Sequence, residues 1–325
     1  YLSGAATSSE YEVSASKTGY SSAQTYARAG INVNPNPGFL TVSEDQTTTS
    51  TFAIDLLGYL TLSSFSPAAT STFSDTFVNG TNITASSSVI VSGGELTLAP
   101  THTTGTAQAV SFSPAYLSRW GSVSASLSVP EDTTASIQMY DGSGVLLSDL
   151  VLPGNSTGLT SFPVDISNIS TSTYPSLRLG ALLTTATTSM PAVEQWSISA
   201  LAGPTPLPNV SFTLTGTKTI GTTDVGAPIY KTSVTGTTGV SSTATETLEW
   251  DAYALSTPSY DIVDACAVPP FSLNPGASVS ARLILAGATT HRLLVSVTDT
   301  TGTPVSSASV TVSRTGFSAT EASSS

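Results

Sequence analysis

Apolar residues recur at every second position of this chain in short runs, punctuated by Gly, Pro, Asn and Asp. Alternation of Val, Ile, Thr, Tyr and Phe with polar residues is the signature of half-buried β-strands, and helical periodicity is nearly absent. Near the N-terminus the pattern predicts strands over residues 11–16, 39–43 and 51–54. Between the first two, Pro35 and Pro37 exclude central-strand geometry, so Asn32 to Gly38 reads as a loop or an edge. A Ser/Pro-rich link over residues 63–70 leads into a longer unit, residues 71–201. Its landmarks are Phe73-Ser74-Asp75-Thr76-Phe77, a hairpin turning at Gly93-Gly94 between Val89 and Leu98, and the turn Asp141-Gly142-Ser143-Gly144. Both turns carry the Gly that a positive φ requires. About ten short strands over ~130 residues predict two packed antiparallel sheets, a jelly-roll sandwich.

A repeat lies on either side of this unit. Thr205-Pro206-Leu207 running into Val210-Ser211-Phe212-Thr213-Leu214 matches Thr303-Pro304-Val305 running into Ser309-Val310-Thr311-Val312. The continuation after the first copy is Tyr253-Ala254-Leu255, Tyr260, Phe271-Ser272-Leu273 and Leu283-Ile284-Leu285. It echoes Tyr11-Glu12-Val13, Tyr20, Leu40-Thr41-Val42 and Phe52-Ala53-Ile54 at the other end of the chain. Periodic self-similarity fixes architecture before any local detail does. The expected domains are therefore residues 1–62 as the back half of a sandwich, 63–203 as the jelly roll, 204–288 as a complete sandwich and 289–325 as a front half.

Composition places such a protein outside the cell. Ser and Thr make up about a third of the residues, charged residues only 9%, and there is one Cys with two Met. So little Lys and sulfur leaves few points for proteases or oxidants. The net charge of -12 repels nucleic acid and anionic lipid, and no apolar run reaches the ~20 residues that span a bilayer. Starting at Tyr1 without Met or a signal pattern, the chain reads as a processed product or part of something longer. Cys266 has no second Cys in the chain, which leaves a buried small hydrophobe or a bridge to another chain.

The valine-rich strand, the Asp299-Thr300-Thr301-Gly302-Thr303-Pro304 turn and Ala308-Ser309-Val310-Thr311-Val312 resemble the carboxypeptidase-regulatory-like or CnaB-like sandwiches. That family continues into a Tyr-x-Val strand and Gly-Tyr, which here stand at the opposite end as Tyr11-Glu12-Val13 and Gly19-Tyr20. The order is permuted, and the connecting strand is missing after Ser325 and before Tyr1. The central unit resembles lectin-like and discoidin-like accessory sandwiches through Phe73-x-Asp75-x-Phe77, Gly93-Gly94-x-Leu96 and Trp120-Gly121. The resemblances imply an all-β protein of tandem Ig-like sandwiches around a jelly roll, as in bacterial surface or pilin-like proteins. Some CnaB-like members join a Lys to an Asn or Asp by an amide bond assisted by a buried acid. Lys218 or Lys231 with Glu246 or Glu249 are the residues that implication selects, but no strand-end Asn is well placed.

Catalytic chemistry finds no residue set. A hydrolase triad needs a His beside a nucleophile, and His102 and His291 read as surface residues. Gly-x-Ser-x-Gly, His-Glu-x-x-His, paired Cys, Walker and dinucleotide motifs are all missing from the sequence. The carboxylates Glu44-Asp45, Glu131-Asp132, Asp261 and Asp264 lack the spacing of a calcium loop. No cofactor or metal is expected. Five of nine Asn stand in Asn-x-Ser/Thr sequons, Asn79, Asn82, Asn155, Asn168 and Asn209, and are the candidate glycosylation sites. Trp120, Trp196 and Trp250 with Tyr116 and Tyr140 read either as core or as a sugar-stacking platform.

A half-sandwich exposes open sheet edges and an apolar face. Residues 289–325 must therefore complete residues 1–62, either within one chain or by passing to the next copy. The second route is head-to-tail and gives a fibre. Expected interface positions are Tyr11, Val13, Leu40 and Val42 on one side and Leu294, Val295, Val297, Val310 and Val312 on the other. The sequence thus points to a structural subunit of an extracellular, pilus-like filament on the cell surface whose partners are other copies of itself. The alternative is an adhesin module that binds surface carbohydrate and uses the repeats as spacers, and an accessory region of a longer secreted enzyme comes third.

Overall fold

A computed structural model describes residues 7–265, 270–289, 295, 297, 299–300 and 305–322. Every regular element among them is a β-strand, and the sheets are those of β-sandwiches. The chain divides into two compact units, residues 68–205 and residues 1–67 with 206–325.

The 68–205 unit is a two-sheet sandwich. One sheet carries Val164–Asp165, Leu117–Ser128, Ala192–Ala202, Glu95–Leu98 and Val89–Ser92 in that order, and Ala69–Asp75 shares an edge of Ala192–Ala202 with Glu95–Leu98. The other runs Thr133–Asp141, Leu177–Thr185, Thr104–Ala109, Ile83–Ser87. All pairings are antiparallel. Alternation does the work foreseen for it: Leu177, Leu179, Ala181 and Leu183 bury against Ile137, Met139, Trp196 and Ile198. The turns use glycine where φ is positive, as at Gly93, Gly94 and Gly144. The two ends of the unit meet in its own sheet, since Ala69 pairs with Ala202 and Thr70 with Leu201.

The second unit holds another sandwich. Its first sheet runs Thr243–Leu248, Gly58–Ser66, Ser278–Gly287, Tyr260–Ala265, with Gly58–Ser66 and Ser278–Gly287 parallel. Its second runs Ser233–Thr237, Ser211–Gly216, Asp251–Ser256, Phe271–Leu273. The apolar core between them includes Leu60, Leu62, Phe212, Leu214, Tyr253, Phe271 and Leu283.

This arrangement changes the expected boundaries. Residues 204–288 do not close a sandwich alone: Gly58–Ser66 is an interior strand of it, and Leu62 is 0% exposed. The expected Ser/Pro-rich link over 63–70 is instead the end of that strand, Pro67 and Ala68, and the start of Ala69–Asp75. Ser63 and Ser66 are half-buried, while Ser64 is 0% exposed with its hydroxyl donating to the Leu207 carbonyl at 2.7 Å, so residues that read as linker composition pair as sheet. The expected strand over 51–54 is not formed. Phe52 and Ile54 alternate correctly yet lie beside no partner strand, and ladder pairing begins with the Tyr20–Leu56 bridge.

Candidate assembly surface

The C-terminal described segment is a hairpin. Ser309–Arg314 and Phe317–Ala322 pair antiparallel through a two-residue turn in which Gly316 has φ 80°. Opposed residues in an antiparallel pair share a face, so the register sorts the hairpin cleanly. Val310, Val312, Phe317 and Ala319 lie on one face, with Arg314 at one end and Glu321 at the other. The opposite face is Ser309, Thr311, Ser313, Ser318, Thr320 and Ala322, with the Thr311 and Thr320 hydroxyls 2.8 Å apart. Among the described residues this ribbon pairs with no further strand. Val310 and Val312 are only half-buried, and Phe317 is 50% exposed. A lone two-stranded ribbon is marginal in water, so its apolar face asks for a cover.

The N-terminal segment has the complementary character. Ser8–Tyr11 pairs with Leu40–Val42, and Ser14–Ala15 with Ala23–Gln24. Tyr11, Val13, Leu40 and Val42 are each half-buried, and no apolar side chain of residues 7–57 reaches full burial. The segment is nevertheless anchored. Asn34–Pro35 adds to Thr219–Thr222 as the outer strand of a three-stranded sheet, the edge role that its prolines dictated. Asn32 Nδ2 donates to the Ile220 carbonyl at 3.0 Å, and Lys231 Nζ to the Ser22 carbonyl at 2.6 Å. Of the other expected interface positions, Val295 is 45% exposed, Val297 accepts a bond from Val305 N at 2.9 Å, and Leu294 lies outside the described residues.

Two of the chain's three lysines converge on one buried carboxylate. Glu249, 8% exposed, takes Lys231 Nζ at 2.6 Å and Lys218 Nζ at 3.3 Å on Oε2, and the Thr232 hydroxyl at 2.8 Å on Oε1. Lys218 Nζ also sits 3.3 Å from the centre of the Trp250 ring. Burial pulls its pKa below the ordinary lysine value in spite of the Glu249 charge. The Tyr253 hydroxyl donates to the Glu249 carbonyl at 2.8 Å, and burial with the neighbouring carboxylates pushes that phenol well above its usual range. A cleft of about 310 Å³ opens beside both ammonium groups. Among the described residues neither amine is hydrogen-bonded to an Asn or Asp side chain, so the geometry is that of an ion cluster tying strands together. Glu246, the other acid considered, makes no ion pair with either lysine.

The sequons divide. Asn79, Asn168 and Asn209 are exposed and Asn82 half-buried. Asn155 is a correction: it is 0% exposed, its Nδ2 donates to the carbonyls of Met139 and Leu147 at 2.8 Å, and its Oδ1 accepts Met139 N at 2.7 Å. A sugar on Nδ2 would remove a donor and force its way into the core.

Of the two readings of the aromatic residues, core is the one that holds for Trp120 and Trp196, both 0% exposed. Trp120 meets Phe112 at a tilt with ring centres 5.9 Å apart, and Trp196 meets Phe77 edge-on at 5.1 Å. Tyr116 alone of that group is well exposed. His102 is exposed, with Nδ1 3.1 Å from the Pro100 carbonyl, while His291 and Cys266 lie outside the described residues. Among the described residues no three His, Cys, Asp or Glu converge. Glu44-Asp45 and Glu131-Asp132 are turns, with positive φ at Asp45 and Asp132, and Asp261 accepts the Thr289 amide and hydroxyl. The ribbon residues Phe317 and Ala319 escaped the sequence reading. The signal was there, a two-residue Thr315-Gly316 turn between two alternating runs.

No protein-family model, curated protein or solved structure matches the chain.

Proposed function

We propose that this protein is a structural subunit of an extracellular, pilus-like filament, in which each copy's C-terminal segment completes the N-terminal segment of the next. The observation that carries the reading is a pair of half-covered apolar faces in one chain. An amphipathic ribbon with an apolar side of Val310, Val312, Phe317 and Ala319 is complemented by an N-terminal set, Val13, Leu40 and Val42, that reaches only half-burial. Among the described residues no strand of 305–322 pairs with a strand of 7–57. Two such faces, one from each end of the chain, can meet between copies in a head-to-tail contact that does not close. Strand addition then supplies backbone bonds, and the alternate side chains supply register. The hydroxyl-rich outer face and a charged fraction of 9% suit an inert extracellular coat. The CnaB-like resemblance of the repeats fits the same reading.

Electron microscopy of purified protein tests it. Filaments are expected from the full chain, and soluble monomers of unchanged secondary structure from a chain truncated after residue 288. Filaments that persist after the truncation would sink the proposal.

A further inference from the structure

The N-terminal segment contains a groove of about 580 Å³ whose walls include Ala27, Val33, Pro35 and Phe39, with Glu10 and Arg28 lining it as well. Its lining resembles the ribbon in composition: four apolar side chains with one acid and one base. On the ribbon the acid and base stand at opposite ends, because Arg314 pairs across the hairpin with Phe317 while Glu321 pairs with Val310. Four strand steps separate those two rungs, roughly 13 Å. Among the described residues none of Glu10, Arg28, Arg314 and Glu321 has an ionic partner, although the chain holds only 30 charged side chains in all, 9 basic and 21 acidic.

We infer that this groove is the seat of the ribbon of a second copy, with Val310, Val312 and Phe317 over Val33 and Phe39, Arg314 toward Glu10, and Glu321 toward Arg28. The inference rests on the filament reading and adds to it a receptor, a face and an orientation. Arg28 keeps its Nε on the Val33 carbonyl at 2.6 Å, which fixes the guanidinium at the groove wall and leaves its terminal nitrogens for the incoming carboxylate. The hydroxyl-rich face of the ribbon then points to water, where Ser and Thr belong. Reversed docking would bring Arg314 onto Arg28 and Glu321 onto Glu10, so the two charges select one direction. Like charges set against each other disfavour the wrong register about as much as opposite ones favour the right one.

The test is a mixing experiment. Glu10→Arg and Arg314→Glu are made in separate chains, and both positions are exposed, so each variant should melt like the wild type. Alone, each variant brings like charges together at every junction, and the concentration needed for assembly at low salt should rise about five- to tenfold. Mixed in equal amounts they should assemble near the wild-type concentration, since the altered ribbon of one variant meets the altered groove of the other. Rescue by mixing also requires that the contact run between molecules. Single variants that polymerise like the wild type, or a mixture that stays as poor as its components, would overturn this seat while leaving filament formation standing. A wild-type protein that forms no polymer would instead remove the filament reading itself.

Discussion

Asn155 is wholly enclosed, yet each of its side-chain polar atoms has a partner in the edge strand Thr133–Asp141 or the loop beside it. Asn155→Ala would leave the Met139 amide and the Leu147 carbonyl without that partner in a dry interior. A loss of about 3 kcal/mol is expected in urea unfolding, the range for orphaned buried groups. Gly180 is fixed by space: a Cβ there would come within 2.5 Å of Tyr140 Cε2 and 2.9 Å of the Ala107 carbonyl. Glu249 is a third such residue. Glu249→Gln strands two ammonium groups, and a loss of about 3 kcal/mol is expected, as for other half-broken buried pairs. Lys218→Met should be far milder, because burial already works against that charge. The turn carboxylates give a pH signature. The Ser143 hydroxyl, ahead of the Val145 amide, holds the Asp141 carboxyl below its ordinary value of 3.8. A depressed carboxyl contributes stability above that value and loses it as pH falls through the folded pKa. Thermal melts of residues 68–205 should therefore drop on acidification below 3.8, and Asp141→Asn should flatten that drop.

Strands were legible where alternation met a partner strand. Ser211–Gly216 and Phe271–Leu273 fall where the pattern put them. The run over 51–54 has the same alternation and forms no strand, while Gly58–Ser66, dressed in Ser and Thr at its end, became an interior strand. Local pattern reports which face of a strand is apolar, not whether a ladder partner arrives. The partner of Gly58–Ser66 comes from residues 278–287, beyond any window. Leu62→Ala should accordingly destabilise the second unit by about 2–5 kcal/mol, a core rather than a linker effect. For the ribbon the opposite holds. Val312→Asp sits on a half-covered face, so the melt of the isolated chain should hardly move while filament yield collapses, which electron microscopy and sedimentation would read together. The candidate surface was half visible for the same reason: Val310 and Val312 stand in a plain alternating run, whereas Phe317 and Ala319 join their face only through the cross-strand register.

At the scale of the molecule, the 68–205 sandwich is inserted within another. Its ends lie side by side, Ala69 against Ala202, and it has its own core, so residues 68–205 expressed alone should fold and retain their melting temperature. The host sandwich has a different life history. Tyr59 pairs with Ser278, 219 positions later in the chain. A ribosome adding 5–20 residues per second takes roughly 10–40 s to make that stretch. Until the 211–216 and 243–248 strands emerge, and fully only once Ser278–Gly287 is made, the greasy side of Gly58–Ser66, with Leu60 and Leu62, lacks its berth, while the inserted sandwich has already matured and drawn the flanking chain back to where it departed. The nascent polypeptide is thus a client for a holding chaperone at its beginning, and slowing translation between codons 206 and 287 should lower the soluble yield more than the same delay inside 68–205.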